Sequence, residues 1–241
     1  MIKRISPCPI IDATIQVNCT FTVDQDVVVG LIYSLLENKL DKKPLQLEKL
    51  PILNLPEDIR RNDPNLKDKP WYKINCEEYY ILIGLFGIAF GVNGAYTGWE
   101  SYKRFASEVF GTFKDNLIKG VSAINLKYLD FFRDVNIFEK IKCEIKINNN
   151  QITSIPTIFR TELPINKYVK VLQITNGVHV KNKNLKIDND GSLIEINLHT
   201  KNVSIDTFDS IIEDAHAIQK ESFFELLTDD FLHSFEVEEY E

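Results

Sequence analysis

Residues Ile10–Phe21 (IIDATIQVNCTF) alternate along their length. Ile11, Ala13, Ile15, Val17 and Cys19 fall on one side, and Asp12, Thr14, Gln16, Asn18 and Thr20 on the other. That period of two predicts a half-buried strand. Asp24 stands at an N-cap position before Val27, Val28, Leu31, Ile32, Leu35 and Leu36, whose i, i+3/i+4 spacing predicts an amphipathic helix. From Pro44 to Pro70 the chain is punctuated by Pro51, Pro56 and Pro64. Short strand pieces at Leu45, Leu47 and Ile52 and a turn or two of helix at Glu57–Asn62 fit between them, as a surface excursion. Strands are predicted at 72–75 and 79–92 (one or two), ended by Asn93-Gly94. A helix follows over about 98–113, with Trp99, Tyr102, Phe105, Ala106, Val109, Phe110 and Phe113 on one stripe, and then a strand at 121–132.

The second half alternates more than it spirals. Cys143, Ile145 and Ile147 form one row, Asn148-Asn149-Asn150 turns the chain, and 152–163 is a strand that Pro156 assigns to an edge or a bulge. Asn176-Gly177 and Asp190-Gly191 read as two tight hairpin turns, flanked by 168–175, 178–181 and 193–199. Asp206 is placed to cap a closing helix whose apolar face is Phe208, Ile211, Ile212, Ala215, Ile218, Ser222, Phe223 and Leu226. Thr228 is placed to cap a short helix after it, and 235–241 reads as a loose tail. The element order defines an α+β protein with antiparallel sheet and helices packed against it. It divides either into two similar sheet-plus-helix halves, 1–135 and 136–241, or into one continuous domain.

At 241 residues and 44% apolar content the chain can bury a sizeable core. Its longest apolar run, YYILIGLFGIAFGV at 79–92, is too short to span a bilayer and is interrupted by Gly84, Gly87 and Gly91. The four cysteines are far apart and form no C-x-x-C pair, which argues for reduced thiols and no zinc site. The opening MIKRISPCP holds no signal-peptide core. A cytoplasmic protein without membrane association is the expectation.

Charge is polarised. From Asp206 to Glu241 there are twelve Asp/Glu and one Lys, a local −11, while the preceding residues carry 27 Lys/Arg against 23 Asp/Glu. Such asymmetry biases which partner approaches which face. Basic residues gather at 39–49, 60–73 and 167–186, but a sequence pI of about 5.3 argues against nucleic acid as a partner. Glu236, Glu238, Glu239, Tyr240 and Glu241 are left as candidates for docking a protein partner, for folding back over the basic body, or for plain solvation.

Several stretches resemble a sporadically distributed family of uncharacterised prokaryotic proteins. They are PIIDA at 9–13, LPEDIR at 55–60, PNLK at 64–67, ILIG at 81–84, YTGW at 96–99, LKYLDFF at 126–132, His216, and FFELLT at 223–228. Lys127 departs from an arginine expected at its position, which puts any bidentate role there in doubt. The resemblance implies no established activity. It implies an accessory gene of the kind common in defence or toxin–antitoxin loci.

Motif chemistry is mostly absent. There is no Walker loop, no G-x-G-x-x-G, no G-x-S-x-G and no H-E-x-x-H, so no cofactor or metal is expected. Tyr96, Trp99 and Tyr102 straddle a helix start, either as an aromatic platform for a ligand or as packing that locks the helix to a sheet. His199 at a strand end and His216 on the closing helix could meet, with Glu195 or Asp214 beside them, if that helix packs back across the sheet. Two functions follow. One is a non-catalytic accessory protein acting by contact with a protein partner or a second copy. The other is a sensor or enzyme for a small, nucleotide-like ligand, with a pocket between sheet and helix lined by Tyr96, Trp99, Lys127, Tyr128, His199 and His216.

Overall fold

The computed structural model of the protein describes residues 2–39, 44–148, 150–151, 156–201 and 203–239. In chain order the elements are β1 (Ile2–Ser6), β2 (Ile10–Phe21), α1 (Gln25–Lys39), β3 (Gln46–Lys49), α2 (Glu57–Asn62), β4 (Pro70–Cys76), β5 (Tyr79–Gly84), β6 (Gly87–Val92) and α3 (Trp99–Leu117). They continue with β7 (Ile118–Arg133), β8 (Lys146–Ile147), β9 (Asn150–Gln151), β10 (Thr157–Ile165), β11 (Tyr168–Asn182), β12 (Ile187–Lys201), α4 (Phe208–Leu226), α5 (Asp229–Leu232) and β13 (Glu236–Glu239).

Nine strands form one antiparallel sheet in the order β10-β11-β12-β7-β2-β6-β5-β4-β3. The expected α+β architecture is what the chain adopts. On either side of the central β2·β7 pair the plan is the same. A first strand (β2 or β7) leads to a three-strand meander (β4-β5-β6 or β10-β11-β12). The last strand of the meander pairs with the first strand, and a nineteen-residue helix (α3 or α4) follows. The sheet crosses the boundary between the halves without interruption, since β7 and β12 align over eleven residue pairs.

The odd positions of β2, Ala13 to Cys19, are buried against α1, α3 and α4, as their alternation requires. This face carries two apolar clusters. The larger joins β2, β4–β6, α1 and α3; the smaller joins Phe132, Ile194, Ile196, Phe231 and Leu232. Tyr102 of α3 is fully buried in the larger cluster. Its hydroxyl accepts from the Ile15 N–H at 2.8 Å and donates to the Phe90 carbonyl at 2.6 Å, bridging two residues paired across β2 and β6.

Several local expectations are overturned. Neither Asn176-Gly177 nor Asp190-Gly191 is a turn. Both lie inside long strands, and Val178 pairs with Gly191 next to a bulge at Asn176/Val178. The hairpin turns are at Asn166-Lys167 and 183–186, with Asn166 and Lys186 at positive φ. The glycines serve other ends. Gly177 takes φ +70 in the bulge, the other common use of an Asx-Gly pair. Gly191 lets β12 approach β7, since a Cβ there would stand 2.2 Å from the Phe132 carbonyl oxygen and 2.7 Å from the Phe131 ring. Gly191→Ala should therefore cost about 3 kcal/mol, the upper end of overpacking. Gly30→Ala, in open space on α1, should gain about 0.5–1 kcal/mol. Urea denaturation of the two variants checks both, and equal midpoints would contradict this account.

On α1, Val27 and Leu31 are exposed, while Val28, Val29, Ile32 and Leu36 are buried. Apolar residues surround much of this helix, so tertiary packing rather than periodicity chose the face. Ile52 lies in a 3-10 turn, and β3 is an exposed edge strand. Of the 143–147 row only Lys146–Ile147 is strand. Cys143 and Ile145 instead pack on the smaller cluster, beside an Ile141–Leu227 bridge. The Asn148–Asn150 turn and the 152–163 strand fall partly outside the described residues. Their described parts give Asn148 at positive φ and β10 as an edge strand starting after Pro156. Ser204, not Asp206, caps the approach to α4, while Thr228 caps α5 as expected.

The tail is ordered too. β13 pairs antiparallel with β1, and the Arg4 guanidinium donates to Glu238. Tyr240 and Glu241 lie outside the described residues. No helix among the described residues is long and apolar enough to cross a membrane.

Candidate functional site

Gly98, at φ +95, turns the chain into α3 and sets Tyr96 and Trp99 on the inner side of its first turn. Tyr128 projects from β7 toward the same place, and His216 reaches it from α4. The Tyr96 and Tyr128 hydroxyls are 3.1 Å apart, and Tyr128 Oη is 3.1 Å from His216 Nδ1. The His216 ring stacks on Trp99 at 4.2 Å, and Trp99 Nε1 donates to Glu213 at 3.1 Å. Burial pushes the His216 imidazole down to about 4, helped by the Lys220 charge, so the ring is neutral at pH 7. Burial also holds both tyrosines above the usual phenol range. The result is a chain of three neutral hydrogen-bonding groups against an aromatic wall.

These side chains border a cavity of about 1220 Å³ between the sheet and the helices α3 and α4. β1 and the Cys8–Ile10 segment form one wall, Phe223 and Phe224 another. The cavity opens at the seam between the two apolar clusters. Along β7, Leu126 and Tyr128 belong to the larger and Phe132 to the smaller; Asp130 sits between them and faces the cavity. It is 3% exposed. No described residue gives its carboxyl a hydrogen bond or an ion pair, and burial pushes it up to about 8. Gln219 of α4 also belongs to the lining. It is 1% exposed; its Nε2 donates to the Leu126 and Ile196 carbonyls at 2.7 Å each, and its Oε1 has no partner.

Of the residues singled out in the sequence, Tyr96, Trp99, Tyr128 and His216 come together. Lys127 and His199 do not. Strand alternation sends both to the helix-free face of the sheet, where Lys127 pairs with Asp12 at 3.1 Å and His199 stands opposite Asn125. His199 and His216 therefore cannot share a site, and Asp214 is engaged by Lys167 at 2.7 Å. Glu236, Glu238 and Glu239 are on the β1·β13 ribbon rather than on a free tail.

Asp130 and Gln219 escaped the motif search, but each left a signal. Asp130 is the one charged residue in the inward row Leu126, Tyr128, Asp130, Phe132. Gln219 follows Ala215 by one helical turn on an otherwise apolar stripe. Among the described residues no group of three or more His, Cys, Asp or Glu could hold a metal ion. No family model, no curated protein and no solved structure matches this chain.

Proposed function

We propose that this α+β protein binds a small organic ligand in the cavity between the sheet and the helices α3 and α4. The observation that carries the reading is a large cavity walled by aromatic rings and holding a deeply buried acid, Asp130, to which no described residue gives an ion pair. A buried acid is normally paired or hydrogen-bonded, and ligand pockets are typically apolar with a few convergent polar groups. Among the described residues, Arg4 and Lys220 are the only Lys or Arg of the lining. A phosphate group is therefore poorly served, and the nucleotide-like expectation narrows to a body without phosphates. A contact role, in a defence locus or elsewhere, would have to use the ribbon's outer edge, because β13 and Glu238 are already engaged by β1.

Ala217 is exposed at the mouth of the cavity. Screening a library of a few hundred apolar and heteroaromatic compounds by thermal shift and tryptophan fluorescence should find binders that raise the melting temperature by about 2 °C or more, through mass action on the folded state. Ala217→Trp, which obstructs the mouth, should abolish the response. A flat profile across the library, or hits indifferent to Ala217→Trp, would sink the reading.

A further inference from the structure

Resting on that reading, we propose that the ligand is an organic cation, with an ammonium or amidinium nitrogen placed against Asp130 and a flat apolar body held by Tyr96, Trp99, Tyr128 and Phe223.

Four observations converge on it. Asp130, the one acid buried in the cavity lining, is 3% exposed and has no cation beside it among the described residues. Gln219 Nε2 is spent on backbone carbonyls, so it does not serve Asp130. The tyrosine hydroxyls and His216 Nδ1 are occupied with one another, so the neutral chain beside the acid carries no positive charge of its own. The walls are aromatic, and aromatic faces attract organic cations through their quadrupoles by about 0.5–2 kcal/mol each. Finally, with Glu213 paired to Lys103 and Arg4 to Glu238, the lining still holds Glu100, Glu221 and Glu225 against Lys220. A buried carboxylate is costly without a counter-charge, and a bound cation supplies it.

The protonation of Asp130 then couples to occupancy. In the empty cavity the carboxyl keeps its proton at pH 7; against a cation it ionises and releases that proton to solvent. The titratable groups that feel the Asp130 charge are Cys8 between β1 and β2, Tyr96 before α3 and Tyr128 on β7, and His216 of α4 shares the cavity lining with them. Of these, His216 is neutral above about pH 4 and the phenols are neutral to well beyond pH 10. Between pH 6 and 8 affinity for a permanent cation should rise, with Asp130 as the titrating group.

Benzamidinium and its neutral counterpart benzamide are suitable probes on the full chain, with affinity read from tryptophan fluorescence and ligand-observed NMR. Benzamidinium should bind at least tenfold more tightly than benzamide at pH 8, and the gap should narrow at pH 6. Asp130→Asn should abolish the preference while benzamide binding persists, whereas Glu48→Gln, an exposed acid on the edge strand β3 outside the cavity lining, should change affinities less than threefold. Equal affinities in the native protein, or a preference that survives Asp130→Asn, would overturn the cation assignment and leave the cavity reading standing. Absence of binding by both probes together with a flat compound screen would overturn both.

Discussion

Tyr102→Ala should cost about 4 kcal/mol or more, enough to leave much of the chain unfolded at 37 °C. Truncating a fully buried aromatic ring costs about 3–5 kcal/mol through lost burial and the cavity left behind. Here the hydroxyl adds to that. It satisfies the Ile15 N–H and the Phe90 carbonyl in the middle of the sheet. Tyr102→Phe isolates this second part. The ring stays, the two backbone groups lose their bridge, and about 1–3 kcal/mol should go with it. Guanidinium denaturation of the three proteins separates the contributions. A Phe variant as stable as the native protein would show that β2 and β6 close directly without the hydroxyl.

The second large effect is on how stability varies with pH. Asp130 has a folded value of about 8 against an unfolded value of about 3.9. Between these the unfolded chain has given up a proton that the folded chain keeps, so stability falls as pH rises, by up to about 1.4 kcal/mol per unit. His216 works in the opposite sense. Its folded value of about 4 lies below an unfolded value of about 6.5, so stability falls as pH drops from 6.5 to 4. The two slopes oppose each other in that acid range, leaving a plateau, and only the Asp130 slope continues to pH 8. Asp130→Asn should remove the alkaline decline and be the more stable protein at pH 8, by several kcal/mol on the order set by that slope. At pH 4 the two should be alike. Melting temperatures measured from pH 4 to 9 decide it; a variant no more stable than the native chain at pH 8 would mean that Asp130 is ionised and compensated in the fold.

How far the sequence carries the fold depends on which residues are asked. Where one face is apolar and the other polar, as from Ala13 to Cys19 or along Tyr102, Ala106, Val109 and Phe113, the side chains determine the element and its buried side. α1 is apolar nearly all round, so its buried column was decided by what it packs on. The two Asx-Gly pairs mislead for a physical reason. Positive φ and the absence of a Cβ suit a bulge or a close strand approach as well as a hairpin, and only pairing partners distant in sequence distinguish the uses. Site residues behaved likewise. Tyr96, Trp99, Tyr128 and His216 could be singled out by type, but alternation in β7 and β12 had already excluded Lys127 and His199 from any surface facing α4. The parity of Lys127 against Tyr128, one residue apart, was enough to see it. Asp130 needed one more step, which is to ask why an acid stands in an inward row.

The β1·β13 ribbon has a consequence for the order of folding. It joins Ile2 to Glu239, a contact that spans nearly the whole chain. Loop closure of that span is unfavourable until the intervening sheet has shortened the distance, and non-local pairings of this kind form late. Because β1 walls the cavity, the nine-stranded sheet can form while the cavity still lacks that wall, until β13 has paired with β1.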